Sequence, residues 1–196
     1  MSEQLHEKPI TYDELYNRIK KIIKKEYELD VINSAYAFAL EHHAGKKRLN
    51  GDDYITHPLE VANILVDLNV DYVTLAAALL HETINHTDAT YNEIVEEFGE
   101  EIAKIVNSVS KINRLELSDN KDATAAYLRK VLVGLSEDVR VLFIKLADRL
   151  HNMRTIYALP PEEQKAKAVE TTQVLIPIAH RLGINSVKSE LEDICL

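Results

Sequence analysis

Leu75 to Thr87 reads LAAALLHETINHT. Leu75, Ala76, Ala77, Ala78, Leu79 and Leu80 offer no polar face, so a helix built from them is buried all round. His81, Glu82, Asn85 and His86 follow directly. Burying such groups costs several kcal/mol unless each finds a partner, so this stretch fixes both the fold class and the place to look for chemistry. Two other polar intrusions into apolar surroundings, His57 and Asp148, are the groups that can supply partners.

The rest of the chain supports a helical reading. Of 196 residues, 46% are hydrophobic, with only 5 Gly, 5 Pro and no Trp, which favours helix over sandwich or barrel. Thr11 to Glu26 carries Leu15, Ile19, Ile22 and Ile23 at helical spacing behind a Thr11–Glu14 capping pattern. Asp30 reads as the cap of a second helix that ends near His42, His43 and Gly45. Lys46 to Tyr54 is a loop around Asn50-Gly51. Thr56 or His57 opens a helix with Pro58 in its first turn, Asp71 caps the all-apolar helix, and Thr90 opens an amphipathic segment closed by Gly99. Glu100 to Ile112 continues in helical style, and residues 113–122 lose periodicity and read as a mobile loop.

Helices are expected again through Tyr127, Leu128, Val131, Leu132 and Leu135, and from Glu137 or Asp138 through VRVLFIKLADRLHNMRTI. Leu159-Pro160-Pro161 breaks the chain, Glu162 to Ile178 resumes with Pro177 bending or ending it, and a last helix starts near Ser186. No period-2 run appears. The expectation is an all-α, compact multi-helix bundle of roughly ten helices in a single domain spanning residues 1–196.

Composition limits the function classes. A net charge of −9 argues against general nucleic-acid binding, which rests on neutralising phosphates with Lys and Arg. The local cluster Lys46, Lys47 and Arg48 still suits a small anion. No apolar run reaches the ~18 to 20 residues of a membrane span, and the polar, acidic N-terminus is unlike a signal peptide. The single Cys195 can form no internal disulfide, which fits a cytoplasmic setting.

Asp148 lies in a helix apolar over most of its circumference, so its carboxylate needs a cation. An arginine such as Arg149 or Arg154 would make it a structural ion pair. Asn152 and Thr155, four and seven residues on, share its face and favour a site instead. His57, His81, Glu82 and Asp148 form a two-histidine, two-carboxylate set suited to Mn, Fe or Zn. The H-E-x-x-H protease motif is excluded, because His86 follows His81 by five residues, a rotation of about 140° on a helix.

ITHP, then LLHETINHT, then KLADRLHNMRT and AHRLG together resemble the hydrolase domain of the RelA/SpoT family, HD-type enzymes that remove the 3′ pyrophosphate of (p)ppGpp. The resemblance runs from about Val31 to Leu196. It includes the HxxGxxR-like stretch His42 to Arg48, DYITHP, SVSKI and VRVLFIKLADRLHNMRT. It implies an HD-domain bundle, with manganese on His57, His81, Glu82 and Asp148. The HD motif has become His81-Glu82, and Asn85 and His86 stand at the positions of a Glu-Asp pair that handles the attacking water. Of these two, His86 can take a proton and Asn85 cannot. Arg48, Asn152 and Thr155 match positions that hold the guanine nucleotide, so the binding half is better kept than the catalytic half.

Three readings from different classes remain. One is an active (p)ppGpp hydrolase, and another is a degenerate domain that binds nucleotide or regulates an adjacent synthetase domain. The third is a helical scaffold without a ligand. The ending SELEDICL, in mid-pattern, suggests a domain excised from the N-terminal part of a longer protein.

Overall fold

A computed structural model describes residues 8–116, 127, 130–135 and 137–196. Its helices are Tyr12–Ile22 (α1), Glu26–His42 (α2), Thr56–Asp67 (α3), Tyr72–Leu80 (α4), Thr83–His86 (α5), Tyr91–Phe98 (α6), Glu100–Glu116 (α7), Val139–Arg154 (α8), Pro161–Glu170 (α9), Ile176–Arg181 (α10) and Asn185–Cys195 (α11). Residues 130–135 are also helical, and among the described residues the only extended pairing is an isolated bridge between Lys47 and Asp53. The all-α expectation holds.

The apolar run forms α4, in which every residue from Val73 to Leu80 is buried. It packs against α2, α3, α7 and α8. With neighbours on all those sides, a polar face would have no solvent to reach, which is why the run has none. The helix stops at Leu80, and His81 and Glu82 form the turn into α5. The polar groups therefore sit at the end of the central helix, deep in the bundle.

Local signals set most boundaries. The side chains of Thr11, Asp71, Thr90 and Asp138 each accept from a backbone N–H in the first turn of α1, α4, α6 and α8, each cap contributing about 1 kcal/mol. Thr90 and Glu93 complete a reciprocal box, and Gly99 ends α6 at φ 88°, a conformation that favours glycine. Asp30 is not a cap: α2 begins at Glu26, and Asp30 lies within it. Leu29 packs on the core, so the helix gains by starting earlier. Correspondingly α1 ends at Ile22, where Ile23 turns extended and enters the core.

The expected loop does not begin at Asn113. Residues 113–116 belong to the last turn of α7, while 117–122, like Leu128, lie outside the described residues. Near Pro177 the chain adopts a π-helical turn, Thr171–Leu175, before α10. A wider turn accommodates the ring and missing N–H of a proline that would clash in a regular helix. No helix of the described residues is long and apolar enough to cross a membrane.

Candidate metal centre

Three helices deliver the polar groups to one point. His57 enters from the first turn of α3, His81 and Glu82 from the end of α4, and Asp148 from the middle of α8. One ligand atom from each of the four lies within 4.8 Å of the others, and all four residues are buried. His57 Nε2 is 2.8 Å from Asp148 Oδ1 and 3.6 Å from Glu82 Oε1. His81 Nε2 is 3.4 Å from Glu82 Oε1 and 3.5 Å from Asp148 Oδ1.

This arrangement fits a divalent cation. His81 Nδ1 lies 2.5 Å from the Ala78 carbonyl oxygen, which can only accept, so one ring proton is fixed there and Nε2 is the nitrogen left to meet a cation. That Nε2 is buried with no hydrogen-bond partner among the described residues, facing two carboxylate oxygens. An orphaned nitrogen opposite two anionic oxygens is a cradle for positive charge. Two nitrogens and two carboxylates are a borderline-soft donor set suited to first-row metals.

The electrostatics agree. Burial pushes the His81 pKa down, but the Asp148 and Glu82 carboxylates opposite its Nε2 outweigh it and hold the ring up at about 10. Burial would push both carboxylates up, yet each stays well below its ordinary value. For Glu82 the cause is hydrogen bonding from His57, His81 and His86, and for Asp148 it is the Lys145 charge and the His57 and His81 rings. Both carboxylates are anions, and the cluster attracts a cation.

Asp148 draws its cation from Lys145, whose Nζ donates to Oδ2 at 3.2 Å and to Asn113 Oδ1 at 2.8 Å. The arginines are elsewhere. Arg149, next on the helix and so rotated by about 100°, donates to Thr171 Oγ1 and faces Glu170. Arg154 pairs with Glu190. The ion-pair reading of Asp148 with an arginine is thereby corrected.

Glu82 divides its two oxygens. Oε1 faces the histidines, while Oε2 accepts from the Tyr54 hydroxyl at 3.2 Å and lies 2.6 Å from His86 Nε2. His86 is exposed, and its pKa is raised by hydrogen bonding to Glu82, against an opposing effect of burial. Asn85 lines the same cavity as Glu82, with its amide donating to the Ser110 carbonyl at 2.9 Å. The four groups thus form one inward cluster, His86 is tied to its edge, and Asn85 is outside it.

Above the cluster lies a cavity of about 410 Å³ whose lining includes Arg48, Asn152, Thr155, Lys47 and Lys167. Arg48 Nη2 donates to Asn152 Oδ1 at 3.1 Å and to Thr155 Oγ1 at 3.3 Å, so the three wall residues expected from the sequence meet. Two residues given no role by the sequence reading also belong here. Tyr54 holds Glu82, and His151 lies between Arg48 and His57, 3.3 Å and 2.7 Å away. Burial, with the Arg48 charge close by, pushes the His151 pKa down to about 2, so the ring is neutral. Their positions, three before His57 and three after Asp148, were the available signal.

Residues 35–185 match the HD domain family. The chain belongs to that family. It is 42% identical over 181 residues to the bifunctional (p)ppGpp synthase/hydrolase SpoT of Escherichia coli, covering 92% of this chain and 26% of that protein. It is 49% identical over 166 residues to a probable GTP pyrophosphokinase of Mycobacterium leprae, covering 85% of this chain and 21% of that one. The chain therefore spans about a quarter of the length of these relatives. A solved structure of a metazoan ortholog of SpoT, described as hydrolysing ppGpp, shares the fold with a TM-score of 0.70 at 22% identity, over 84% of this chain and 93% of that one.

Proposed function

We propose that this domain is a manganese-dependent (p)ppGpp 3′-pyrophosphohydrolase of the RelA/SpoT type. One observation carries the reading: His57, His81, Glu82 and Asp148, from three helices, face one another at the floor of a cavity with a cationic wall. These four would hold the ion, which when bound supplies polarisation of water and charge compensation at phosphorus. The net reaction splits the bond between the 3′ oxygen and phosphorus with water, giving pyrophosphate and guanosine 5′-diphosphate or 5′-triphosphate.

The chain's own residues supply the rest. Arg48, with a planar face for a base and a fork for phosphate, forms the nucleotide wall with Asn152 and Thr155. Lys47 and Lys167 line the same cavity and offset pyrophosphate charge. His86 is the group at the rim able to take a proton, while Asn85 cannot, and its amide is engaged by Ser110. Lacking one of two proton-handling groups, the site turns over slowly, since a lost general base costs ~10² to 10⁴ in rate.

That same arrangement favours a second reading. With the Asn85 amide held by Ser110 and His86 spent on Glu82, the domain binds guanine nucleotide without turnover or regulates a synthetase domain beside it, in a longer cytoplasmic protein. The bifunctional description of the Escherichia coli relative supports such a neighbour.

Metal content and pyrophosphate release from ppGpp at saturating Mn²⁺ separate the readings. Wild-type turnover abolished by Asp148→Ala supports the hydrolase. Bound metal and nucleotide with turnover appearing only in Asn85→Glu with His86→Asp selects the second reading. Absence of metal and of turnover, even with Glu82→Asp added to that pair, overturns both the hydrolase and its metal site.

A further inference from the structure

Two of the four metal-facing groups are imidazoles, and each must present a bare Nε2 to a cation. In a neutral ring the hydrogen bond at the outer nitrogen decides where the proton sits. For His81 the Ala78 carbonyl settles the matter. His57 has no such carbonyl: its Nδ1 faces Nδ1 of His151 at 2.7 Å, and of two facing imidazole nitrogens either one can donate.

Arg48 resolves the ambiguity. Its Nη1 lies 3.3 Å from the same His151 nitrogen, and a guanidinium has only donors. His151 Nδ1 therefore accepts, His57 donates to it from Nδ1, and His57 Nε2, 2.8 Å from Asp148 Oδ1, is the nitrogen turned to the carboxylates, where a cation would take the place of a proton. A second chain runs in parallel. Arg48 Nη2 donates to Asn152 Oδ1 at 3.1 Å, which orients the amide so that Nδ2 donates to Asp148 Oδ1 at 3.2 Å. One guanidinium thus stands two hydrogen bonds from two metal-facing groups on different helices.

We propose that His151 is a positioning residue, held by Arg48, that fixes the tautomer of His57 for a divalent cation, so that the engagement of Arg48 sets metal affinity even without nucleotide. The inference rests on the metal reading above and assigns Arg48 a task separate from holding substrate. Because linkage is reciprocal, a ligand that draws Arg48 away from His151 and Asn152 changes metal affinity, and the metal changes ligand affinity by the same factor.

The test is calorimetric titration of the whole chain with Mn²⁺ in the absence of nucleotide. His151→Leu is expected to weaken binding about 10- to 100-fold, the usual loss when the partner of a ligating histidine is removed. His151→Asn, whose carbonyl oxygen accepts near the place of Nδ1, restores most of it. Arg48→Met weakens binding and adds less than its own factor to His151→Leu, because both act through one chain.

Circular dichroism melts establish that each variant is folded. If His151→Leu does not fold, long-range ¹H–¹⁵N spectra of the Zn²⁺-loaded wild type read the tautomer directly, with the His57 proton expected on Nδ1. Wild-type affinity in folded His151→Leu, His151→Asn as weak as His151→Leu, or a proton on Nε2 of His57 overturns this inference alone. A wild type that binds no Mn²⁺ or Zn²⁺ overturns the metal reading, and this inference with it.

Discussion

His81 and His43 are both buried, at 0% and 2% exposure, and each has ring nitrogen with no hydrogen-bond partner among the described residues. Their surroundings drive them in opposite directions. His81 Nε2 faces Glu82 and Asp148, which overcome burial and hold its pKa up at about 10. His43 stacks on the Tyr54 ring at 4.9 Å, and burial pushes it down to about 4 against a weaker pull from Glu82. Burial alone yields a neutral core histidine; carboxylates brought opposite by other helices turn the same side chain into part of a cation site.

Removing a carboxylate from the His81 side is the strongest way to break that contrast. Asp148→Ala leaves Lys145 and His57 without their buried anion, and is expected to cost about 3–5 kcal/mol in stability. It should also abolish metal stabilisation. With Mn²⁺ at 100 times its dissociation constant the wild type gains about 2.7 kcal/mol, or about 5–10 °C in melting temperature for a domain of this size. His43→Phe should keep that gain. A melting temperature of Asp148→Ala that still rises with Mn²⁺ would refute the assignment.

The His43 side is tested by pH. Its folded pKa is depressed from 6.5 to about 4, so between those values the unfolded chain binds the proton first. Stability is therefore lost as pH falls from about 6.5 to about 4, and the loss levels off below. At about 1.4 kcal/mol per pH unit, the full window is worth about 3 kcal/mol. Denaturant melts at pH 7, 5 and 4 should show this component in the wild type and not in His43→Phe. Equal pH profiles would show that His43 is already charged in the folded state.

The contrast also marks what the sequence could convey. The unbroken apolar run of α4 and the caps at Thr11, Asp71, Thr90 and Asp138 are local signals, and the helices follow them. Asp30 misled because a capping residue type carries no weight where Leu29 gains more by packing inside the helix. Asn113 sat in a polar stretch that read as loop, yet its oxygen holds Lys145 beneath the cluster. His57, His81, Glu82 and Asp148 were legible as residue types in apolar surroundings. Which atoms face inward was not, because that depends on the packing of α3, α4 and α8. For the same reason His43, Tyr54 and His151 carried no visible role: each acts through a contact distant in sequence.

Tyr54 joins the two environments, since its ring covers His43 and its hydroxyl donates to Glu82. Tyr54→Phe keeps the stacking and removes one hydrogen bond to a charged group, a loss of about 1.5 kcal/mol. The expected result is a roughly tenfold weaker metal affinity, since each tenfold is about 1.4 kcal/mol, with the pH response of His43 retained. Loss of the pH response with metal affinity unchanged would reverse the division of labour between ring and hydroxyl.

Asn85→Ala should have the smallest effect. Asn85 sits on α5 with His86, yet its amide donates to the Ser110 carbonyl of α7 rather than to any of the four metal-facing side chains. Truncation removes one neutral hydrogen bond at a half-buried position, about 0.5–1 kcal/mol, and leaves Mn²⁺ affinity where it was. His86→Ala, one residue on, releases Oε2 of Glu82 from its 2.6 Å contact and should weaken metal binding. Paired calorimetric titrations of the two variants therefore locate the edge of the cluster between adjacent residues. An Asn85→Ala protein that loses metal as His86→Ala does would place Asn85 inside it.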